Sequence, residues 1–243
     1  MILETRHETA DGIVCVTDLM PIGATHRAII RQVTGEAGKV RIALNLSLRF
    51  DYGTIPPRLR VEPRSVRGIV GPDLVVFRSP IDLVCDHDDL LCEFTIGVGV
   101  SIAFTLQYGR SYEPEPPPID ATAAISANAS YWQRWADRFT APTDWPEAVK
   151  RSLVTLQALT DAETGGIIAA PTTSLPEVPG GDKNWDYRYT WLRDSTFTLA
   201  AFLNAGYHGE ARVARLADPR RRRGSGKTTD DVPCRWVAAY RTS

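Results

Sequence analysis

The sequence has few cysteines for its length, which limits both its disulfide and its metal chemistry. Four cysteines occur in 243 residues, at positions 15, 85, 92 and 234. They are too scattered for a disulfide framework or a Cys-x-x-Cys metal site, and a hairpin would bring only Cys85 and Cys92 close together. We therefore interpret them as reduced thiols in a cytoplasmic protein.

Long apolar runs, excess charge and clustered histidines are absent as well. No apolar stretch approaches the roughly 20 residues needed to cross a bilayer, and the start, MILETRHETADG, lacks the basic and apolar regions of a signal peptide. The formal net charge is -1, so no general attraction to nucleic acid or anionic membranes is expected. The histidines form no ligand set, and CDHDD (85–89) is interpreted as a solvated turn between strands. We expect no metal, no cofactor, no nucleic-acid partner and no membrane partner.

Residues 1 to about 112 carry the pattern of short β-strands. The runs are rich in Val, Ile, Leu and Phe, and turn residues separate them: GIVCVTDLM, HRAIIRQVTG, KVRIALNLSLRF, DLVVFRSP, LLCEFTIGVG and VSIAFTLQYG. In KVRIALNLSLRF the apolar residues alternate with period two from Val40 to Phe50. Strands spaced about ten residues apart predict an antiparallel β-sandwich.

A proline-rich linker and a helix follow the strands. EPEPPPID (113–120) is unsuited to a helix or a central strand and predicts a stiff linker. Asp120 is placed to cap a helix over ATAAISANASYWQRWADRF. Its apolar residues lie near one stripe: Ile125, Trp132, Trp135 and Phe139.

Two further helices are predicted, with a long loop between them. In TDWPEAVKRSLVTLQALT, Asp144 and Glu147 predict a capping box and Pro146 falls in the first turn. The loop, GGIIAAPTTSLPEVPGGDKN, is long enough to be either functional or disordered. A third helix is predicted from about Tyr189 to Ala205. Strands followed by helices indicate separate β and α domains rather than a βαβ sheet.

Aromatic and charged residues are concentrated at the start of the third predicted helix, in GGDKNWDYRYTWLRDS (180–195). The helix that follows is mostly apolar, and a buried Arg or Asp is costly unless it is paired. Arg193 and Asp194 therefore either bond each other or the loop and fix the helix end, or they line a pocket for a polar ligand. Rings that cover apolar C–H faces, beside charged groups that hold hydroxyls, are what a sugar site requires.

These motifs resemble glycoside hydrolase family 15, which includes glucoamylases, glucodextranases and bacterial trehalases. APTTSLPE (170–177) and GGDKNWDYRYTWLRDSTFTLAAFLNAGY (180–207) resemble the start of its catalytic domain. LETRHETADG (3–12), RFDYG (49–53) and EPEPPPID resemble its N-terminal sandwich and linker. The resemblance implies a β-sandwich, a helical linker and the first helices of an incomplete (α/α)6 barrel.

The resemblance also implies domain limits and roles for individual residues. The domains would be 1–112 (sandwich), 113–142 (linker and linker helix), 143–212 (start of the catalytic domain) and 213–243 (a tail outside the family pattern). Arg193 and Asp194 would hold hydroxyls of the non-reducing glucose, with Tyr187 and Trp191 packed around that sugar and Tyr187 near the oxocarbenium charge. The residues interpreted as loop scaffolding are Trp185, Asp186 and Arg188.

The family cleaves α-glucosidic bonds with inversion, and its general acid and base are two Glu well downstream of the WLRD motif. Both are expected beyond the end of this chain, so none of its residues is predicted to be catalytic and its own activity stays uncertain. The implied substrates are α-glucosides of the glucoamylase type, or trehalose. A third interpretation is an inactive fragment that lacks the acid and base.

The tail after about residue 212 loses apolar periodicity and family likeness, and we interpret it as a frameshifted or truncated frame. GSGKTT (224–229) resembles a phosphate-binding loop, but Arg221 stands where that motif requires glycine. RRRR (220–223) is isolated in a chain without net positive charge and is interpreted as an accidental run.

Overall fold

The computed structural model describes residues 1–162, 164–210 and 237–239, which divide into two compact units between Tyr131 and Trp132. Strand 237–239 belongs with the first unit. The predicted tail, with its basic run and its loop-like motif, lies outside the described residues except for that strand.

The strands are β1 (Leu3–Thr9), β2 (Gly12–Leu19), β3 (Ala28–Arg49), β4 (Arg58–Glu62), β5 (Ser65–Val70), β6 (Asp73–Arg78), β7 (Val84–Asp86), β8 (Asp89–Gly97), β9 (Ser101–Arg110) and β10 (Val237–Ala239). The helices are α1 (Ala121–Ala136), α2 (Pro146–Ala158) and α3 (Leu192–Asn204).

All the strand pairs of the first unit are antiparallel, and β3 belongs to two layers. One layer has the order β1-β2-β3-β9-β6-β5-β4. In that layer Ala28–Thr34 of β3 pairs with β9, whereas Lys39–Ser47 pairs with β8 in the other layer. Strands β7 and β10 also belong to this second layer, paired with β8 and β3. The predicted β-sandwich is therefore confirmed, and one strand contributes to both of its layers.

Sequence patterns favoured two strands in this region, and the structure has one of 22 residues. The chain crosses between the layers at Gly35–Gly38 without ending the strand. A Cβ on Gly35 would lie 2.1 Å from the carbonyl oxygen of Gly97, and Gly38 has a φ of +64°. Only glycine tolerates so close an approach and this φ at low cost, so these residues allow a crossing that the pattern predicted as a turn.

The period-two pattern of β3 is confirmed by the core. Val40, Leu46 and Leu48 are buried, and the residues between them are more exposed. Their neighbours across β8 complete the same face, where Val40 opposes Ile96 and Leu46 opposes Leu90. Each fully buried side chain of this size stabilises the fold by about 1.5–3 kcal/mol.

Strands β1, β4, β5, β7 and β10 lie outside the predicted runs, and burial imposes no alternation on β1 or β4. All seven residues of β1 are exposed, and β1 and β4 each end the path of paired strands in their layer. An edge strand with polar side chains on both faces has no period-two signal to detect. Within CDHDD, predicted as a turn between strands, residues 87–88 form the turn, while 85–86 end β7 and Asp89 begins β8.

The proline-rich segment after β9 is fastened to the sheet by buried polar groups. Gln107 is 1% exposed and donates from Nε2 to the carbonyl oxygen of Pro117 at 2.9 Å. Arg78 donates to the carbonyl oxygen of Pro116 at 2.6 Å and to the Glu115 carboxylate at 2.5 Å. These bonds fix the path of the chain into α1.

Helix α1 begins as predicted and carries a buried asparagine that sequence analysis missed. Asp120 Oδ1 accepts the Ala123 N–H at 3.0 Å and caps the helix. Asn128 is 1% exposed: its Oδ1 accepts the Ile22 N–H at 2.9 Å, and its Nδ2 donates to the carbonyl oxygen of Met1 at 3.1 Å. One side chain thus satisfies two backbone groups distant in sequence.

Helix α2 buries Leu153, but its predicted capping box is wrong. The N-cap is Trp145, which makes no side-chain capping bond, and Pro146 is in the first turn as expected. Glu147 extends instead to Lys150, with 3.2 Å between Oε1 and Nζ. The helix starts one residue later than the box requires, so Asp144 lies outside the capping position.

The second unit contains an aromatic cluster around Trp135. Tyr207 stacks on Trp135 with 4.3 Å between ring centroids, and Phe202 meets the same ring edge-on. Glu210 accepts from Trp135 Nε1 at 2.9 Å and from Arg138. Burial favours the neutral acid, but the bonds from Arg138 and Trp135 outweigh it and hold the pKa of Glu210 below its ordinary value.

We predict that Asn128→Ala lowers the free energy of unfolding of the β unit by about 1–3 kcal/mol, because it removes the two hydrogen bonds that this buried side chain makes with the Ile22 N–H and the Met1 carbonyl oxygen. Urea unfolding followed by circular dichroism measures the change. Asn45→Ala, at an exposed position of β3, is the control and should stay within about 0.5 kcal/mol of the parent. Equal effects in the two variants would contradict the role of Asn128.

We predict that Glu210→Gln removes a pH-dependent part of the stability of the second unit. A carboxyl group whose pKa is lower in the folded than in the unfolded chain stabilises the fold above its unfolded value of 4.5. The difference between parent and variant should therefore be constant at neutral pH and shrink as the pH falls below about 4.5. Thermal unfolding from pH 3 to 7 tests this, with the exposed Glu147→Gln as control; a difference that grows on acidification would contradict it.

Candidate sugar-binding site

The long loop between α2 and α3 folds back on itself as an irregular antiparallel pair. The Tyr187 N–H donates to the carbonyl oxygen of Thr172, and the Ala170 N–H donates to that of Tyr187, both at 3.0 Å. Nearer the tip, Pro176 lies opposite Asn184 in an isolated bridge. The loop is therefore ordered by backbone bonds, and it holds WDYRYTW against a second arm of the chain.

The rings at the two ends of this arm are exposed, and its centre is half-buried. Trp185 and Tyr189 are 53% and 55% exposed, and Trp191 is 48% exposed. Tyr187 is half-buried, and the side chains of Asp186 and Arg188 on either side of it are only 14% and 9% exposed. The arm therefore presents three of its four rings to solvent.

Asp186 and Arg188, on either side of Tyr187, form a largely buried ion pair. Arg188 donates from Nη2 to Asp186 Oδ2 at 2.8 Å and from Nε to Oδ1 at 3.0 Å. The Arg188 backbone N–H donates to the same Oδ1 at 3.0 Å. Such a two-pronged pair fixes geometry more strictly than a single charge contact. Trp185 is held separately, through Nε1 to Glu177 Oε1 at 2.9 Å.

Helix α3 begins at Leu192, three residues later than the Tyr189 start that its pattern predicts. Its N-cap, Trp191, has extended backbone angles (φ -105°, ψ 132°). Tyr189 accepts a backbone bond from Ala169, and Thr190 bridges to Ile168, so the opposite arm keeps both residues extended. Trp191 therefore joins the aromatic arm to the helix.

Arg193 and Asp194 lie in the first turn of α3 and are less enclosed than the apolar pattern suggested. The side chains are 73% and 35% exposed, and Arg193 Nε stands 3.7 Å from Asp194 Oδ2. The helix also exposes Leu192 and Phe197, at 77% and 71%. The expectation of a largely buried helix is therefore wrong in the described part of the chain, where Thr198 and Phe202 are the buried residues of α3.

Two polar atoms at this turn are buried without a hydrogen-bond partner among the described residues. They are Asp194 Oδ2 and Ser195 Oγ. A buried polar atom left unpaired costs about 1–3 kcal/mol, so such atoms are concentrated where a ligand or another segment completes the bonding. Ser195 belongs beside the predicted residues, although its type alone gave no signal.

The candidate wall is defined by Tyr187, Trp191, Arg193, Asp194 and Ser195, which belong to the end of the arm and the first turn of α3. The wall offers ring faces, a cation and a carboxylate, which suit a polyhydroxylated ring with apolar C–H faces. In the described part of the chain, no three His, Cys, Asp or Glu side chains form a group that could hold a metal ion. None of the described helices is both long and apolar enough to cross a membrane.

Comparisons with known proteins identify the family. The family model described as glycosyl hydrolases family 15 matches residues 145–219, which extends a little beyond residue 212. A trehalase of Mycobacterium tuberculosis is 41% identical over 240 residues, covering 87% of this chain and 35% of the relative. The trehalase of Thermoplasma acidophilum is 28% identical over 203 residues, covering 82% and 35%.

Among solved structures, a bacterial glucoamylase complexed with acarbose superimposes with a TM-score of 0.57. It is 14% identical, and the match covers 88% of this chain and 40% of that one, so the likeness is one of fold. The chain belongs to glycoside hydrolase family 15. It spans about a third of the length of the curated relatives it matches.

We predict that Asp194→Ala changes the free energy of unfolding by less than about 1 kcal/mol, because removing an unpaired buried oxygen offsets the loss of a carboxylate near a helix N-terminus. The matched control is Asp120→Ala, which removes a formed cap from α1 and should cost about 0.5–2 kcal/mol. Urea unfolding of both variants measures the difference. A loss at Asp194 that exceeds the loss at Asp120 would indicate a structural role instead.

Proposed function

We propose that Tyr187, Trp191, Arg193 and Asp194 form one wall of a glucose-binding site in an inverting hydrolase of α-glucosidic bonds. The observation that carries the proposal is Asp194 Oδ2, a buried atom without a hydrogen-bond partner among the described residues, beside exposed rings at the start of α3. Membership of the family supports the substrate class. The proposed domains are 1–112, 113–142 and 143–212, with the wall in the last, the start of an (α/α)6 catalytic domain.

The chemistry of the wall follows from the charges and rings that it presents. Asp194 would accept hydrogen bonds from two hydroxyls of the terminal glucose, and Arg193 would donate to another. Trp191 and Tyr187 would cover the apolar faces of the ring. As the glycosidic bond breaks, positive charge develops at the anomeric carbon, and the Tyr187 ring would stabilise that charge.

Inversion also needs a general acid and a general base on carboxyl groups about 6.5–9.5 Å apart. Asp186 is committed to Arg188, and Asp194 fits hydroxyl binding, so we assign neither as acid or base. We propose that the two catalytic carboxylates belong to chain downstream of Ser243. Residues 1–243 would then bind the terminal glucose without turning over the substrate.

Trehalose is the second candidate substrate, because the similar relatives from Mycobacterium tuberculosis and Thermoplasma acidophilum are both trehalases. The wall holds one terminal glucose in either case, since α-glucosides and trehalose share that unit. The cysteines at 15, 85 and 92 are free, and we propose a cytoplasmic location on that ground.

Binding of trehalose and maltotriose to the chain, measured by titration calorimetry, tests the proposed site. Asp194→Asn should weaken binding of both sugars at least about tenfold, because it replaces a charged acceptor with a neutral amide. Glu147→Gln, at an exposed position of α2, is the matched control and should bind as the parent does. Failure of the parent chain to bind either sugar at millimolar concentration would contradict the proposal.

A glucose-release assay on the same two sugars tests where the acid and base lie. No release is expected from this chain. Turnover that survives in a preparation free of other glycosidases would show that the acid and base are present within these 243 residues.

A further inference from the structure

The aromatic arm, residues 185–191, has exposed rings at its two ends and a half-buried centre. Trp185 and Tyr189 are more than half exposed, whereas Tyr187 is half-buried and Asp186 and Arg188 on either side of it are 14% and 9% exposed. Burial of apolar area stabilises folding in proportion to the area removed from water, so the exposed rings contribute little to fixing the path of the arm.

Backbone bonding to the opposite arm does not by itself determine which residue occupies the centre of the arm, because every residue offers the same N–H and C=O groups. A slip of the register by one position would put a neighbouring residue in the place of Tyr187.

The ion pair and its bond to the backbone distinguish the observed register of the arm from a slipped one. Asp186 accepts three hydrogen bonds from Arg188, two from the guanidinium and one from the backbone N–H, at 2.8–3.0 Å. The backbone bond exists only when the Asp186 side chain folds over the residue that follows Tyr187. It therefore bends the chain at Tyr187, where the N–H and C=O both bond to the opposite arm.

We propose that Asp186 and Arg188 are positioning residues that fix the backbone at Tyr187 and so place Tyr187 and Trp191 in the site. The ligand rests on the proposed function, whereas the placement of Tyr187 rests on the ion pair and on the bond from the Arg188 N–H to Asp186. Neither residue touches the sugar. Each acts through the backbone of Tyr187.

Amide hydrogen exchange of the full chain, resolved at Tyr187 and Arg188, tests this placement. Asp186→Ala should speed exchange at these two amides by about tenfold or more, since hydrogen bonds to a charged group are lost. Asp186→Asn keeps an oxygen for the Arg188 N–H and should show a smaller increase. Glu147→Ala, which removes an exposed ion pair of α2, is the control and should leave both amides unchanged.

Exchange in α2 separates positioning from general destabilisation. Positioning predicts faster exchange at 187 and 188 with unchanged exchange at Leu153, which is buried in α2. Equal acceleration at all three sites, or none at 187 and 188, would overturn the inference. Partial rescue by Asp186→Asn supports it, and absence of rescue contradicts the backbone bond as its cause.

Trehalose affinity of the same variants connects the placement to binding. Asp186→Ala should weaken trehalose binding at least about tenfold, and Asp186→Asn less. Unchanged affinity in Asp186→Ala would overturn the proposal that the pair serves the site. If the parent chain binds no trehalose, the proposed function fails, while exchange at 187 and 188 still decides whether the pair positions the arm.

Discussion

The candidate site depends on one buried ion pair. Arg188 and Asp186 neutralise each other beneath the aromatic arm, and a charge buried without such a partner is strongly destabilising. The pair also holds the backbone next to Tyr187, because the Arg188 N–H donates to Asp186. The arm then leads directly into α3, whose first turn carries Arg193 and Asp194, so this constraint lies next to the residues proposed to bind the sugar.

Elsewhere in the described chain, hydrogen bonds from polar side chains likewise hold the backbone where the chain changes direction. Gln107 and Arg78 fasten the proline segment to the sheet, and Asn128 bonds the backbone near Met1 and Ile22. Glu210 joins Trp135 and Arg138 within the second unit. Apolar burial builds the sandwich core between its layers, whereas these buried polar side chains determine the path of the segments around it.

Sequence patterns predicted what periodicity and short-range chemistry control. The buried face of β3 and the Asp120 cap followed from spacing alone. Continuity of β3 through Gly35–Gly38 and the role of Asn128 depend on partners that are distant in sequence, so no local pattern reveals them. The site residues came from family resemblance, and the geometry added Ser195 and the Asp186–Arg188 pair. The rings of WDYRYTW were visible in sequence, but their exposure depends on how the arm pairs with the opposite one.

Mapping bound trehalose by amide chemical shifts tests most directly whether the wall at the start of α3 binds a terminal glucose. The account predicts that titration shifts the resonances of Tyr187, Trp191, Arg193 and Asp194, and leaves those of the sandwich core, such as Leu90, unchanged. Shifts confined to the sandwich, or none at the wall at saturating sugar, would contradict it.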